Sequence, residues 1–364
     1  MHSEFEFPVL LDNARAWRTY WGGSLLARLH GEEDAEDSHF PEEWIMSVVS
    51  ARNVGREEIQ DEGMSRVAAT GETLAAFIAR SPAACLGKAC VTQRNGQMGV
   101  LLKLIDASER LAIQVHPDRQ KAMELLGSPF GKTECWHILG GRTIDGQAPY
   151  IYMGFKPHVT RELWKHLFDE QDIEGMLGCM HRFEVKPGDT VLITGGVPHA
   201  IGAGCFLTEI QEPTDYTIRV ERTTPSGLKL DDRACHQGLG FDRMFECFHY
   251  DGADAQTIRD RWFLPKRVLC ADAQSAVSQL VGPSATDFFR LNEVTVSGSV
   301  SLSGDGSFSG LYILEGSGSI AAGDRRIRVE QGQQYFVPAA CRGFVLTADA
   351  GRPIRALHFF GPQS

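Results

Sequence analysis

Gly188-Asp189-Thr190-Val191-Leu192-Ile193-Thr194-Gly195-Gly196-Val197-Pro198-His199 is the stretch on which the fold is decided. A β-type run, Thr190 to Ile193, lies between glycines suited to tight turns, and a histidine stands just past the second turn. The same spacing returns in Gly332-Gln333-Gln334-Tyr335-Phe336-Val337-Pro338-Ala339-Ala340-Cys341-Arg342-Gly343, with Ala340 at the position of Gly196 and Gly343 at that of His199. Trp136-His137-Ile138-Leu139 and Leu311-Tyr312-Ile313-Leu314 overlay in the same way and set Ser309 opposite Glu134. Two spacings repeated in order point to a duplicated β unit whose second copy lacks the side chains of Glu134 and His199.

Outward from these segments the pattern stays β. Val100 to Ile105, Leu111 to His116 and Phe206 to Ile210 read as strands divided by polar turns, and Gly298 to Gly323 as several short strands with tight turns. Helical signals are fewer. One covers Glu72 to Arg80; another begins at Thr160 as cap, carries Leu163, Trp164, Leu167 and Phe168 on one side, and runs to about Cys179 as an insertion between strands. Asp251 to Pro265 reads as a polar connector.

The stretch ending at His199 resembles the second cupin motif, with Thr194 where proline is usual. That resemblance implies a mainly β fold, two cupin-like β-barrels of jelly-roll type with a few inserted α-helices. Residues 1–255 are expected to form an N-terminal segment plus a metal-binding barrel, and residues 256–364 a second barrel lacking metal ligands.

Composition narrows the function. The chain has 364 residues, 43% hydrophobic and 23% charged, without an apolar run long enough to span a bilayer. Met1 to Glu6 lacks a basic patch followed by an apolar stretch, so a cytoplasmic location is expected. Nine cysteines without paired spacing fit reduced thiols. A net charge of −11 opposes nucleic-acid binding but allows an anionic small substrate held by a few local cations.

In Gln114-Val115-His116-Pro117, alternation puts the side chains of Gln114 and His116 on one strand face. With Glu134 and His199 they make a plausible zinc set, two imidazoles, a carboxylate and an amide oxygen, with room for water or substrate. Taken singly, each is an ordinary hydrogen-bonded residue. Together, and with Leu111 to Asp118, Gly131-Lys132-Thr133-Glu134-Cys135-Trp136, Glu209-Ile210-Gln211 and Asp215-Tyr216-Thr217-Ile218-Arg219, they resemble the type I mannose-6-phosphate isomerases in their short bacterial form. The resemblance begins at Tyr20-Trp21-Gly22-Gly23 and Glu43-Trp44-Ile45-Met46-Ser47 and extends to residue 222.

This resemblance implies one Zn2+ per chain held by Gln114, His116, Glu134 and His199, with Arg219 as the catalytic arginine and Lys132 and Glu209 lining the site. The implied activity interconverts mannose 6-phosphate and fructose 6-phosphate, with a small sugar phosphate as partner and no membrane or nucleic acid; no motif specifies an oligomeric state. Lys132, Glu209 and a metal-bound water all remain candidates for the proton carrier, and an ion pair with Glu209 or Glu221 is the plain structural alternative for Arg219. Ala112 replaces the family's serine, whose hydroxyl is expected to contact phosphate. Ile45-Met46 and Glu221-Arg222 also depart from the family pattern. An isomerase of an unphosphorylated sugar and a non-catalytic sugar-binding cupin are the competing readings.

Overall fold

The computed structural model describes residues 4–53 and 55–363; residues 1–3, scanned above for a leader, lie outside that range. Among the described residues, four antiparallel sheets carry the fold. A six-stranded sheet runs in the order Ala14–Ala16, Glu42–Ile45, Leu101–Asp106, Cys205–Gln211, Glu134–Gly141, Thr190–Ile193. Its inner face packs with a five-stranded sheet ordered Ile218–Arg219, Gln114–Val115, His199–Ile201, Tyr150–Phe155, Met180–Glu184. Trp136, Ile138, Ile151, Met153 and Leu207 fill the space between them. A seven-stranded and a four-stranded sheet enclose a second core around Leu311, Ile313, Tyr335, Phe344 and Leu346.

The duplication read from the sequence is present in the strand order. Thr190–Ile193, Glu134–Gly141, Cys205–Gln211, Leu101–Asp106, Glu42–Ile45 is repeated as Gln334–Val337, Ser309–Glu315, Ile354–Phe360, Arg290–Val296, Ser275–Val281. Pairing agrees residue by residue. Glu134 faces Ile193 as Ser309 faces Val337, and Gln114 faces His199 as Ser303 faces Gly343. The strand Val9–Leu11 adds to the edge of the seven-stranded sheet through Gln334–Val337 before the chain enters the first barrel.

The two large sheets stack back to back. All six residues of Leu101–Asp106 are buried, which explains its near-continuous apolar run. Leu102 and Leu104 point into a layer shared with Leu291, Leu357 and Phe359 of the second unit, while Lys103 and Ile105 point the other way, into the first barrel. Tyr312 adds a polar tie by donating its hydroxyl to Glu43 Oε1 at 3.0 Å.

Helices follow their caps. Thr160 accepts from Leu163 N to start Arg161–Glu170, which buries Trp164 and Phe168, and Leu74–Arg80 starts from Thr73. Two expectations are corrected. The polar stretch 251–265 holds a helix, Ala255–Trp262, capped by Asp254 and buried mainly through Ile258, too small an apolar face to stand out in sequence. Leu111 to His116 pairs as a strand only at Gln114–Val115, because the Ile113 amide donates to the Glu221 carboxylate at 2.6 Å instead of to a neighbouring strand.

Candidate metal centre

His116, Glu134 and His199 converge on one point in the first barrel, their potential ligand atoms all within 4.8 Å of one another and all three residues buried. His199 opens the strand that pairs with Gln114, His116 follows that short strand, and Glu134 begins its own strand directly after the Gly131-Lys132-Thr133 turn. Each imidazole is oriented from behind. His116 Nδ1 contacts Tyr216 O and His199 Nδ1 contacts Val197 O, both at 2.8 Å, which turns each Nε2 lone pair toward the carboxylate. His116 Nε2 lies 3.2 Å from Glu134 Oε2, and His199 Nε2 lies 3.4 Å from Glu134 Oε1.

Two of these atoms, Glu134 Oε1 and His199 Nε2, are buried without a hydrogen-bond partner among the described residues. Buried polar atoms are normally satisfied, so this pair fits a missing electrophile at their focus. The ionisation states fit as well. Burial, reinforced by Lys132, lowers His116 to about 4, and burial also lowers His199, so both rings are neutral ligands at neutral pH. Burial alone would raise Glu134, but the Lys132 ammonium beside it holds the carboxyl well below its ordinary value and keeps it ionised. Among the described residues no other group of three such side chains is gathered in this way. Gln114, the fourth expected ligand, is buried, lines the same cleft and sits beside His199 in register.

Lys132 reaches into the cluster, its Nζ 2.9 Å from both His116 Nε2 and Glu134 Oε2. A cleft of ≈ 220 Å³ opens above, lined by Ala112, Gln114, Lys132, Glu209 and Arg219 among others. Glu209 stands across from Trp136, accepts its indole N–H at 3.0 Å, and pairs with Lys103 at 3.2 Å. Arg219 makes neither of the ion pairs considered for it. Its guanidinium donates to Ala234 O at 2.8 Å, while Glu221 is taken by Arg110.

The far wall is a buried charge network that sequence reasoning missed. Arg18 forks onto Asp215 at 2.9 and 3.1 Å and pairs with Glu42 at 2.9 Å; Glu42 also accepts from Tyr20 and Trp44 and faces Lys103 at 3.6 Å. One signal was available: Lys103 interrupts an apolar strand run, and a buried lysine is rare unless paired. Arg18, Glu42 and Asp215 are joined across up to 197 residues of sequence, and their spacing carries no comparable signal.

Fold and site together define a double-barrel cupin protein with a buried His-Glu-His cluster at the base of a charged cleft. Two family models match, the phosphomannose isomerase type I catalytic domain over residues 14–129 and the mannose-6-phosphate isomerase cupin domain over residues 282–356. The chain belongs to the type I phosphomannose isomerases. It is 28% identical over 255 residues to a mannose-6-phosphate isomerase of Streptococcus mutans, covering 69% of this chain and 71% of that protein. It is 24% identical over 260 residues to mannose-6-phosphate isomerase ManA of Bacillus subtilis, covering 68% and 71%. In fold it is similar to the crystal structure of the mannose 6-phosphate isomerase from Bacillus subtilis, with TM-score 0.73, 21% identity and coverage of 97% and 99%. A putative mannosephosphate isomerase from Archaeoglobus fulgidus gives TM-score 0.72, 19% identity and coverage of 98% and 99%.

Proposed function

We propose that this chain interconverts mannose 6-phosphate and fructose 6-phosphate, using one Zn2+ held by Gln114, His116, Glu134 and His199. The observation that carries the metal assignment is the pair of orphaned buried atoms, Glu134 Oε1 and His199 Nε2, facing each other at 3.4 Å. When bound, the ion supplies Lewis-acid stabilisation of negative charge developing on the sugar oxygens.

The remaining work falls to side chains. Moving a proton between C1 and C2 of the sugar passes through an enediolate, so the cleft must position two oxygens and offer cationic donors. Arg219 supplies fixed donors without a carboxylate competitor among the described residues. Lys132 is our assignment for the proton carrier, with Glu209 as the second group, held in place by Lys103 and Trp136. Arg18, Glu42 and Asp215 hold the wall that presents Lys103.

The first 255 residues are proposed as the catalytic unit and residues 256–364 as a non-catalytic barrel that supports it. No helix among the described residues is long and apolar enough to cross a membrane; a cytoplasmic location is part of the proposal. Assay of zinc-loaded protein on mannose 6-phosphate, beside free mannose and a chelator-stripped control, tests the reading. Metal-dependent turnover of the phosphate ester supports it. Turnover of free sugar alone makes Ala112 the mark of a different substrate, and zinc binding without any turnover leaves a binding module.

A further inference from the structure

The segments that carry His116, Glu134 and His199 meet behind the cluster at a junction built on glycine. A Cβ on Gly195 would stand 2.5 Å from Asp118 Cα, and one on Gly131 would stand 2.7 Å from Pro117 O, so neither position admits a side chain. Backbone bonds close the junction: Gly196 N donates to His116 O at 2.8 Å, and Lys132 N to Pro117 O at 3.0 Å. His249 spans it from outside. Its backbone N–H donates to Gly196 O at 2.9 Å, and its Nε2 donates to Asp118 Oδ2 at 2.9 Å. The other oxygen of Asp118 caps the helix Arg119–Leu126 by accepting from Lys121 N at 2.8 Å. Gly196 makes the seat for the imidazole, because a Cβ there would stand 2.4 Å from the His249 ring. The strut has a firm footing: Phe248 is buried, and Tyr250 stacks on Phe155 with ring centroids 5.4 Å apart.

We infer that His249 is a positioning residue for the metal cluster: by tying Gly196 to Asp118 it sets the separation of the loops that present His199 and His116. The inference rests on the metal reading above and adds a residue outside the cleft on which that site depends. The bonds from the two ligand imidazoles to Val197 O and Tyr216 O fix how each ring is turned, but not how far apart the two loops stand. The link through His249 fixes that distance, since Asp118 follows His116 and Gly196 precedes His199 by only a few residues each. Zinc–nitrogen bonds of about 2.0–2.1 Å leave little tolerance for a displaced loop. His249 lines a different cavity, of ≈ 180 Å³, with Val197, Pro198 and Trp262, so it reaches the cluster through the loops and not through substrate. The Asp118–His249 pair is half-exposed, and such a pair contributes little to global stability, which lets its effect on the metal be separated from folding.

The test compares wild type with His249→Phe, which keeps a ring on Gly196 and drops the donor, and His249→Gln, which keeps an N–H donor at comparable reach. Zinc affinity is measured by competition with a chromophoric chelator, the visible absorption band is recorded for the Co2+-loaded proteins, and Tm is compared without metal. The phenylalanine variant is expected to bind zinc about tenfold more weakly and to shift the Co2+ band, while the glutamine variant recovers the wild-type band and an affinity within about threefold. Wild-type affinity and band in the phenylalanine variant, or a glutamine variant as weak as the phenylalanine one, overturns the inference. Should His249→Phe melt lower without metal, His249→Asn, whose amide falls short of Asp118, takes its place and the same outcomes decide. A wild-type protein that takes up neither Zn2+ nor Co2+ overturns the metal reading and the inference with it, whereas equal binding in all the proteins overturns the inference alone.

Discussion

Lys132 Nζ lies 2.9 Å from His116 Nε2, so a lysine amino group occupies the lone pair that the same imidazole offers to a metal. The lysine also pairs with Glu134 and is a counter-charge for that buried carboxylate. A metal held by His116 and Glu134 would therefore compete with the lysine for the same two partners.

Replacing the lysine separates its roles. Lys132→Met leaves Glu134 buried without its nearest cation, which costs about 3 kcal/mol or more in the metal-free protein. A dication restores the missing charge, so zinc should raise Tm further in the variant than in wild type while isomerase activity is lost. Thermal unfolding with and without zinc checks this; equal zinc-induced shifts would show that the ammonium does not stabilise the metal-free cluster.

Arg219 is held by a carbonyl and, among the described residues, by no carboxylate, so its substitution should disturb chemistry more than folding. Arg219→Lys keeps a positive charge but loses the planar fork, and kcat is expected to fall by about a hundredfold with little change in Tm. Steady-state kinetics beside a melting curve measures both.

The Glu42 carboxyl supplies a pH signature. Burial pushes it up, yet Arg18 and Lys103, with donors from Trp44 and Tyr20, outweigh burial and hold it at about 2, below its ordinary 4.5. A depressed folded-state value means stability that is fully present above about pH 4.5 and lost as pH falls toward 2. Glu42→Gln should therefore cost about 3 kcal/mol at pH 7, and its deficit against wild type should shrink through that window. Urea unfolding at a series of pH values reads the difference; a constant deficit would exclude this carboxylate as the titrating group.

Ala112 is buried against the cleft. Ala112→Ser adds one donor at that wall, worth about 0.5–1.5 kcal/mol if it meets the substrate, so KM for mannose 6-phosphate should drop roughly two- to tenfold. An unchanged KM would place the phosphate out of reach of that wall.

Much of this architecture was legible because repeated spacing survives divergence. The glycine-bounded stretches were enough to align His199 with Gly343, and the runs Trp136–Leu139 and Leu311–Leu314 to align Glu134 with Ser309, and strand pairing places both alignments in register. The His-Glu-His cluster was legible through family motifs. Glu42, Arg18 and Asp215 were not, because they meet only after distant segments pack, and local spacing encodes no such encounter. The helix Ala255–Trp262 escaped for a simpler reason: among its residues Ile258 alone is buried, and periodicity needs several.

The tie between Tyr312 and Glu43 can be cut without touching the cleft. Tyr312→Phe leaves Glu43 with His30 and Arg15 as partners and should cost about 1–2 kcal/mol, with kcat unchanged. Because the apolar layer spans both units, urea unfolding should remain a single transition. Two separated transitions would show that the barrels melt independently.

That shared layer also acts as an error check on strand pairing. A one-residue slip of Leu101–Asp106 would turn Lys103 out of the cleft and drive its charge into the leucines and phenylalanines of the second unit, while Leu102 and Leu104 would fill the site. The penalty for that mistake is set by the duplicate and not by the barrel that gathers His116, Glu134 and His199. The copy in which Ser309 and Gly343 stand at the positions of Glu134 and His199 thereby keeps the other from assembling one step out of phase.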